Sequence, residues 1–276
     1  MADPTWTSGE APSVPRPRGL EWLRVVWRGL ALVAVVFGGL MLLVLLRLVE
    51  RPLYGVARPW TPNITVFVCR TAFRIMGIGY VAHGHRMNRP GAVVANHSSW
   101  MDIFALNAGE RVYFVSKSEV AGWPGIGWLA KATGTVFINR DRREAATQKA
   151  AFEERLGAGH KLLFFPEGTS TDGRRVLAFK PTLFAAFFSE ALRDFMWVQP
   201  VTVVYHAPEG ADPRFYGWWG DMDFGSHILA VLARGRQGRV EVFWHDPVRV
   251  ADFTDRKALA KATEAAVRAA HRAIGG

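Results

Sequence analysis

Cysteine is almost absent from this sequence of 276 residues, in which Cys69 stands alone. A single thiol cannot form an intrachain disulfide, and it cannot build a metal site from several thiolates. Acidic residues are also scarce, with 24 Asp and Glu against 34 Lys and Arg, so the formal net charge is +10 at pH 7. Such an excess of positive charge favours negatively charged partners, among them an anionic membrane surface or an anionic substrate.

Several short motifs with known chemistry are missing as well. The sequence contains no Walker loop, no Gly-x-Gly-x-x-Gly dinucleotide fingerprint and no His-Glu-x-x-His zinc motif. It also lacks the Gly-x-Ser-x-Gly elbow, which disfavours an acyl-enzyme intermediate on Ser98 or Ser99. Lys and Arg are scattered, and no nucleic-acid recognition motif accompanies them. We therefore expect no metal, no bound cofactor and no nucleic-acid partner.

Hydrophobic residues, by contrast, make up 50% of the chain, and a long uncharged run lies near the N-terminus. Residues 29–46 would form a helix about 27 Å long, at the lower limit for crossing a bilayer. Arginines flank both ends of this run, so charge gives no orientation. The residues before it are polar and contain several prolines, and we predict a disordered tail over residues 1–20.

A second apolar stretch covers residues 64–82 and carries Arg70 and Arg74. Two arginines inside such a stretch favour a helix at the membrane interface, with the guanidinium groups reaching lipid phosphates. We predict a membrane-associated helical region over residues 21–82 and a catalytic domain over residues 83–276. A single spanning anchor and a helix pair lying in one leaflet both remain open.

From about residue 91, short β-type runs alternate with helical stretches. Predicted strands cover residues 92–95, 112–116, 135–138, 162–165, 198–205 and 240–244, and predicted helices cover 102–108, 143–156, 181–192 and 255–274. This alternation predicts an α/β fold, a mixed sheet flanked by helices, preceded by the N-terminal membrane-anchoring helical region.

The segment that follows the first of these strands carries His97 and Asp102, five positions apart. On one helix these side chains would differ by ~140° and point in different directions. They can meet only if His97 lies in the turn and Asp102 in the first turn of the following helix, where the helix dipole favours an acidic side chain. Asp102 can then hold one ring nitrogen of His97, and the other nitrogen can take a proton from a hydroxyl group.

Two further segments place polar residues just beyond a predicted strand, where ligands gather in α/β folds. Arg140 follows the strand at 135–138. Glu167, Gly168 and Thr169 follow the strand at 162–165, and the glycine permits close approach of a backbone to a ligand.

The order and spacing of these segments resemble the glycerolipid acyltransferase family, which contains the bacterial 1-acylglycerol-3-phosphate acyltransferases. The family motif Asn-His-x-x-x-x-Asp matches Asn96, His97 and Asp102. The family's Phe-Ile-x-Arg motif matches residues 137–140, its Phe-Pro-Glu-Gly-Thr motif matches residues 165–169, and its Pro-Val segment ends at residue 201. The resemblance covers about residues 80–205.

This resemblance implies that His97 is the general base, that Asp102 orients it, and that the acceptor hydroxyl attacks the thioester of acyl-CoA or acyl-carrier protein. It also implies a lysolipid acceptor, membrane lipids as partners, and a catalytic domain on the cytosolic face of a membrane, expected to be a bacterial inner membrane. The residues expected to bind substrate are Arg140, Glu167, Gly168 and Thr169, together with the two cations Lys117 and Lys180.

One departure from the family pattern concerns the acceptor. Many members have Arg directly after Pro-Glu-Gly-Thr, where this chain has Ser170, and Arg174 or Arg175 could replace that charge. Residues 179–184 and 218–222 are similar to a branch that includes ornithine-lipid O-acyltransferases. Lysophosphatidate is therefore our first expectation for the acceptor and lyso-ornithine lipid our second. A CoA-independent phospholipid transacylase and a non-catalytic lipid-binding or scaffolding protein are the alternatives.

Overall fold

The computed structural model describes residues 5–8, 14–123, 125–138 and 145–275. These residues form seven α-helices and eight strands. The helices are α1 (Glu21–Tyr54), α2 (Thr61–Met76), α3 (Asp102–Gly109), α4 (Ile126–Thr133), α5 (Ala145–Gly157), α6 (Phe224–Ala233) and α7 (Arg256–Gly275). The strands are β1 (Gly79–Gly84), β2 (Gly91–Ala95), β3 (Val112–Lys117), β4 (Val136–Ile138), β5 (Lys161–Phe164), β6 (Trp197–His206), β7 (Arg239–Trp244) and β8 (Val248–Arg249).

The strands form one mixed sheet in the order β1-β7-β6-β2-β5-β3-β4, with β8 paired to β6. The five strands from β6 to β4 run parallel to one another, whereas β7 is antiparallel to β6 and β1 is parallel to β7. All five residues of β2 are buried, as expected for a central strand covered on both faces. The predicted mixed α/β fold is confirmed.

Helices cover both faces of the sheet. Alternate residues of β2 point to opposite sides, so Val93 belongs to one core cluster and Val94 to the other. The first cluster includes Phe73 of α2 and Leu106 of α3, and the second includes Leu259 of α7. Because the five parallel strands share one direction, their carboxyl ends lie at the same edge of the sheet, where ligands bind in such folds.

Helix α1 is longer than the uncharged run at 29–46 and extends beyond it at both ends. At 34 residues it measures about 51 Å, and it continues through Pro52 almost to its end. Within the described residues it is the one helix that is long and apolar enough to cross a membrane. One face of α1 packs against α2, and Gly39 makes this possible because a Cβ there would collide with the Val68 side chain.

The second predicted membrane segment, residues 64–82, differs from the structure at its end. Helix α2 stops at Met76 because Gly77 adopts a left-handed conformation, with φ of 79°, and closes the last turn. The chain then enters β1, so the predicted boundary between residues 82 and 83 falls within a strand of the sheet. The helix predicted at 181–192 is instead a 3-10 helix over Pro181–Phe188. The predicted C-terminal helix is confirmed as α7.

Candidate active site

The turn between β2 and α3 brings His97 and Asp102 into contact. Asp102 is the first residue of α3, and His97 lies in the turn before it. Nδ1 of the imidazole lies 2.7 Å from Oδ2 of the carboxylate. The structure therefore has the arrangement that the five-residue spacing required.

The Asp102 carboxylate is fully buried and receives hydrogen bonds from four groups. The backbone N–H groups of Ser98 and Ser99 donate to Oδ2 at 2.8 and 3.0 Å, alongside the His97 ring. The hydroxyl of Tyr205 donates to Oδ1 at 2.8 Å. A carboxylate fixed on both oxygens at a helix N-terminus has a defined orientation, and it imposes this orientation on the imidazole.

Tyr205 was not among the predicted site residues. It lies near the carboxyl end of β6, next to β2 in the sheet, and its side chain is partly buried against one of the core clusters. Burial raises the pKa of its hydroxyl well above the usual value, and the neighbouring Asp102 charge adds to that effect. The hydroxyl therefore stays protonated and serves as a permanent donor to Asp102. Its position at a strand end on the ligand-binding edge is the signal that could have identified it.

The imidazole of His97 is held from a second side by an aromatic ring. It stacks on Phe165 with ring centroids 4.0 Å apart and an angle of 11° between the planes. The His97 side chain retains 21% exposure. Nε2 makes no hydrogen bond to any residue that the structure describes, so the nitrogen opposite Asp102 is available to an incoming hydroxyl group.

The backbone of His97 is also fixed, by the loop that follows β5. Its N–H donates to Oε1 of Glu167 at 2.8 Å, and its carbonyl accepts from the N–H of Thr171 at 3.0 Å. The other carboxylate oxygen of Glu167 accepts from the N–H of Leu177 at 2.7 Å. The described contacts of Glu167 thus join its own loop to the turn at residues 96–101, which we call the catalytic turn. Its predicted role in binding substrate stays a prediction.

Burial raises the pKa of Glu167 to about 8, and the nearby charge of Asp102 acts in the same direction, whereas the two backbone N–H groups oppose them. Because the folded protein binds the proton more tightly than the unfolded chain, the contribution of Glu167 to stability is fully present below about pH 4.5 and is lost as the pH rises through about 8. The loop that holds His97 is thus more stable on the acidic side of neutrality.

We expect Glu167→Gln to lower the free energy of unfolding by about 1–3 kcal/mol near pH 5, because the NH2 group of Gln would face a backbone N–H donor. The difference in unfolding free energy between the variant and the wild type should shrink as the pH approaches 8. The stabilising contribution of protonated Glu167 is lost there, and only the wild type has it to lose. Denaturant unfolding in detergent at several pH values would measure both effects. The exposed Glu209→Gln variant is the control and should follow the wild type. A Glu167→Gln deficit that is constant with pH would contradict the raised pKa.

The turn at residues 166–169 brings three predicted binding residues together. Gly168 has a φ of 73°, a left-handed conformation that favours glycine, and a Cβ there would lie 2.6 Å from Nζ of Lys180. The side-chain amine of Lys180 therefore covers the turn. The backbone N–H of Lys180 donates to the carbonyl of Pro166. Oγ1 of Thr169 accepts a hydrogen bond from the N–H of Trp6 at 3.2 Å.

The two remaining predicted binding residues follow neighbouring strands. Lys117 is the last residue of β3, at the same sheet edge as His97. Strand β4 pairs with β3, and Arg140 follows it by two positions but lies outside the described residues. The prediction for Arg140 stays a prediction.

Asn96 of the first motif has a role in the sheet. Its side-chain amide donates to the carbonyl of Val203 at 2.9 Å, and its oxygen accepts from the N–H of the same residue at 2.8 Å. This pair of bonds continues the β2–β6 pairing beyond Ala95 after the backbone has turned away. It places His97 directly at the point where the strand ends.

The site thus holds an imidazole oriented by a buried carboxylate at the carboxyl edge of a parallel sheet, with the second ring nitrogen open. Such an arrangement can take a proton from a substrate hydroxyl group. Comparison with known proteins identifies the family. The acyltransferase family model matches residues 74–218. The chain belongs to the acyltransferase family, and the predicted class of enzyme, an O-acyltransferase, is confirmed.

Individual relatives agree with this assignment. A lyso-ornithine lipid O-acyltransferase of Rhodobacter capsulatus is 57% identical over 268 residues, which cover 97% of this chain and 97% of that protein. A 1-acyl-sn-glycerol-3-phosphate acyltransferase of Neisseria gonorrhoeae is 32% identical over 181 residues, 64% of this chain and 68% of that protein. The crystal structure of PlsC, the 1-acyl-sn-glycerophosphate acyltransferase of Thermotoga maritima, has the same fold, with a TM-score of 0.65 at 22% identity over 92% of this chain and 95% of that one.

Proposed function

We propose that the enzyme transfers a fatty acyl group from a thioester to the hydroxyl of lyso-ornithine lipid. The observation that carries the proposal is the 57% identity to a lyso-ornithine lipid O-acyltransferase along 97% of both chains. The acyltransferase from Neisseria gonorrhoeae, which acts on 1-acylglycerol-3-phosphate, is 32% identical over 64% of this chain. The order of our two expected acceptors is therefore reversed, with lyso-ornithine lipid first and lysophosphatidate second.

The geometry of the site supports a direct transfer. Nε2 of His97 takes the proton of the acceptor hydroxyl while the oxygen attacks the thioester carbonyl carbon, so that a C–O bond forms and the C–S bond breaks. The imidazolium then returns its proton to the departing thiolate. Asp102 keeps the Nδ1 proton in place and stabilises the imidazolium in between. This mechanism uses no metal and no cofactor other than the donor, acyl-CoA or acyl-carrier protein.

The reaction takes place at a membrane surface in this proposal, because the acceptor is a lipid. Helix α1 supports this location through the large apolar side chains that it exposes along its whole length, among them Leu23, Leu30, Phe37 and Leu48. The catalytic domain faces the cytosol, where soluble thioester donors are found. The positive net charge of the chain suits both an anionic membrane and an anionic donor.

The direct test supplies detergent-solubilised enzyme with a radiolabelled acyl donor, as acyl-CoA or acyl-carrier protein, and with lyso-ornithine lipid or lysophosphatidate. We expect transfer to lyso-ornithine lipid with a kcat/KM well above that for lysophosphatidate. A preference for lysophosphatidate would overturn the proposed acceptor. Acyl exchange without any thioester would instead indicate a transacylase, and lipid binding without transfer from any donor would indicate the scaffolding alternative.

A further inference from the structure

The N-terminal segment at residues 5–8 lies against two loops of the active site, although the sequence predicted a disordered tail there. The N–H of Trp6 donates to Oγ1 of Thr169, and its ring lies 6.3 Å from that of Trp219. Nε1 of Trp219 in turn donates to Oγ of Ser8 at 3.3 Å. Further along, residues 14–17 and Trp219 line a cavity of about 310 Å³. Residues 5–8 and residues 14–17 thus both lie beside Trp219.

Trp6 also covers one face of Arg175. The guanidinium carbon lies 4.9 Å from the centroid of the Trp6 ring. Along one edge of the guanidinium, Nε and Nη2 of Arg175 donate to the two oxygens of Asp172 at 3.2 and 2.9 Å. Asp172 is buried, whereas the Arg175 side chain is 52% exposed. An arginine held from two sides in this way presents its remaining N–H groups in a fixed direction.

Both loops are attached to the catalytic turn. Thr171, which lies next to Asp172, donates its N–H to the carbonyl of His97. The backbone N–H of Trp218 donates to the carbonyl of Ser98 at 2.8 Å. Arg175 and Trp6 therefore have fixed positions relative to the base, on the side where residues 168–175 meet residues 217–220.

We infer that Arg175 binds the anionic group of the lysolipid acceptor, and that Trp6 and Asp172 position it, so that residues 5–8 form a wall of the acceptor site. The inference rests on the proposed function. Ornithine with one amine acylated keeps a carboxylate, and a guanidinium can bind a carboxylate through two parallel hydrogen bonds. Arg175 offers such a carboxylate the N–H groups of Nη1 and the second N–H of Nη2, which it does not use for Asp172.

The test measures acceptor and donor KM and kcat for four single variants. Arg175→Ala should raise the acceptor KM by about 10- to 100-fold, the range for charge-assisted hydrogen bonds. Trp6→Ala should raise it by about 3- to 10-fold, the range for a cation–π contact. The donor KM and kcat should change by less than about twofold, since neither residue contacts the reacting atoms. The matched controls are Arg174→Ala, an exposed neighbour, and Trp128→Ala, an exposed tryptophan on α4; both should equal the wild type.

The double variant Trp6→Ala/Arg175→Ala shows whether Trp6 acts by positioning Arg175 or contacts the acceptor independently of it. If Trp6 acts through Arg175, the double variant should be no worse than Arg175→Ala alone. Three results would each overturn the inference. The effects of the two single variants on the acceptor KM could be fully additive, or the acceptor KM of Arg175→Ala could equal that of Arg174→Ala. Alternatively, Trp6→Ala could have a lower acceptor KM than the wild type, which would show that residues 5–8 block the site. Thermal unfolding midpoints identify any variant that loses its fold.

The kinetics use whichever of the two lysolipids the wild type acylates better. A wild type that prefers lysophosphatidate refutes the proposed acceptor, while the KM ratios of the variants still decide the role of Arg175. Conversely, a wild type that prefers lyso-ornithine lipid, together with an unaffected Arg175→Ala variant, refutes the inference alone.

Discussion

Replacement of His97 by Ala is expected to lower kcat by at least 10²–10⁴-fold, the usual contribution of a general base. The acceptor KM should change by only a few fold, because the base acts in the transition state rather than in ground-state binding. The contacts of His97 indicate that this substitution removes the imidazole without disturbing the backbone. The contacts of His97 with Glu167 and Thr171 use its backbone N–H and carbonyl, so Ala retains both. The catalytic turn should keep its position while the imidazole is gone.

The measurement is steady-state transfer from a labelled thioester, with acceptor binding followed separately by titration. His83→Ala is the matched control, since His83 is 43% exposed on β1, an outer strand of the sheet, and pairs with Glu241. It should retain wild-type turnover. If His97→Ala turned over as fast as this control, the general-base assignment would be wrong.

The second large effect is expected from Asp102→Asn, with a fall in kcat of about 10²–10³-fold. Three donors converge on Oδ2, and two of them are backbone N–H groups that cannot move away. The amide oxygen of Asn should therefore occupy the Oδ2 position and leave its NH2 group facing the hydroxyl of Tyr205, which can accept a hydrogen bond. His97 keeps its Nδ1 proton in this arrangement, and what is lost is the negative charge.

That charge is worth roughly 4 kcal/mol to an imidazolium about 4 Å away at an effective dielectric constant of 20, so the expected loss follows from Coulomb's law. Asp102→Ala should be worse, because the N–H groups of Ser98 and Ser99 then lose their buried acceptor. Kinetics and unfolding midpoints of the two variants, measured side by side, provide the check. Equal activity of Asp102→Asn and wild type would show that Asp102 acts through geometry alone.

The sequence predicted the parallel strands well because each is a short apolar run bounded by polar residues. It also predicted the contact of His97 with Asp102, since both lie in one turn and the geometry is local. Strand β1 was missed because its first four residues continue the apolar stretch at 64–82, which was predicted to be helical, and five of its six residues are exposed, unlike those of a buried strand. The longer extent of α1 was missed because charged residues at both ends ended the apolar pattern before the helix ended.

The contacts that could not be predicted join residues far apart in the chain. Tyr205 lies 103 positions from Asp102, and Trp6 lies 163 positions from Thr169. A strand end marks Tyr205 as a candidate site residue, but no local pattern shows which residue either side chain contacts, because that depends on how complete strands and loops pack. The motif singled out Glu167, which contacts the backbone of His97, but a motif does not show which way a carboxylate points. Only the structure shows that both of its oxygens accept hydrogen bonds from backbone groups.

The attachment of α1 to α6 has a consequence for how the enzyme meets its lipid. Arg24 donates to the carbonyl of Ala233, and Arg28 donates to the carbonyls of Leu232 and Arg234, so the first turns of α1 are tied to the end of α6. These three hydrogen bonds fix the N-terminal turns of α1 against the catalytic domain. A bilayer that holds α1 would also set the height and tilt of His97 above the lipid surface, so that lipids reach the base at one fixed depth.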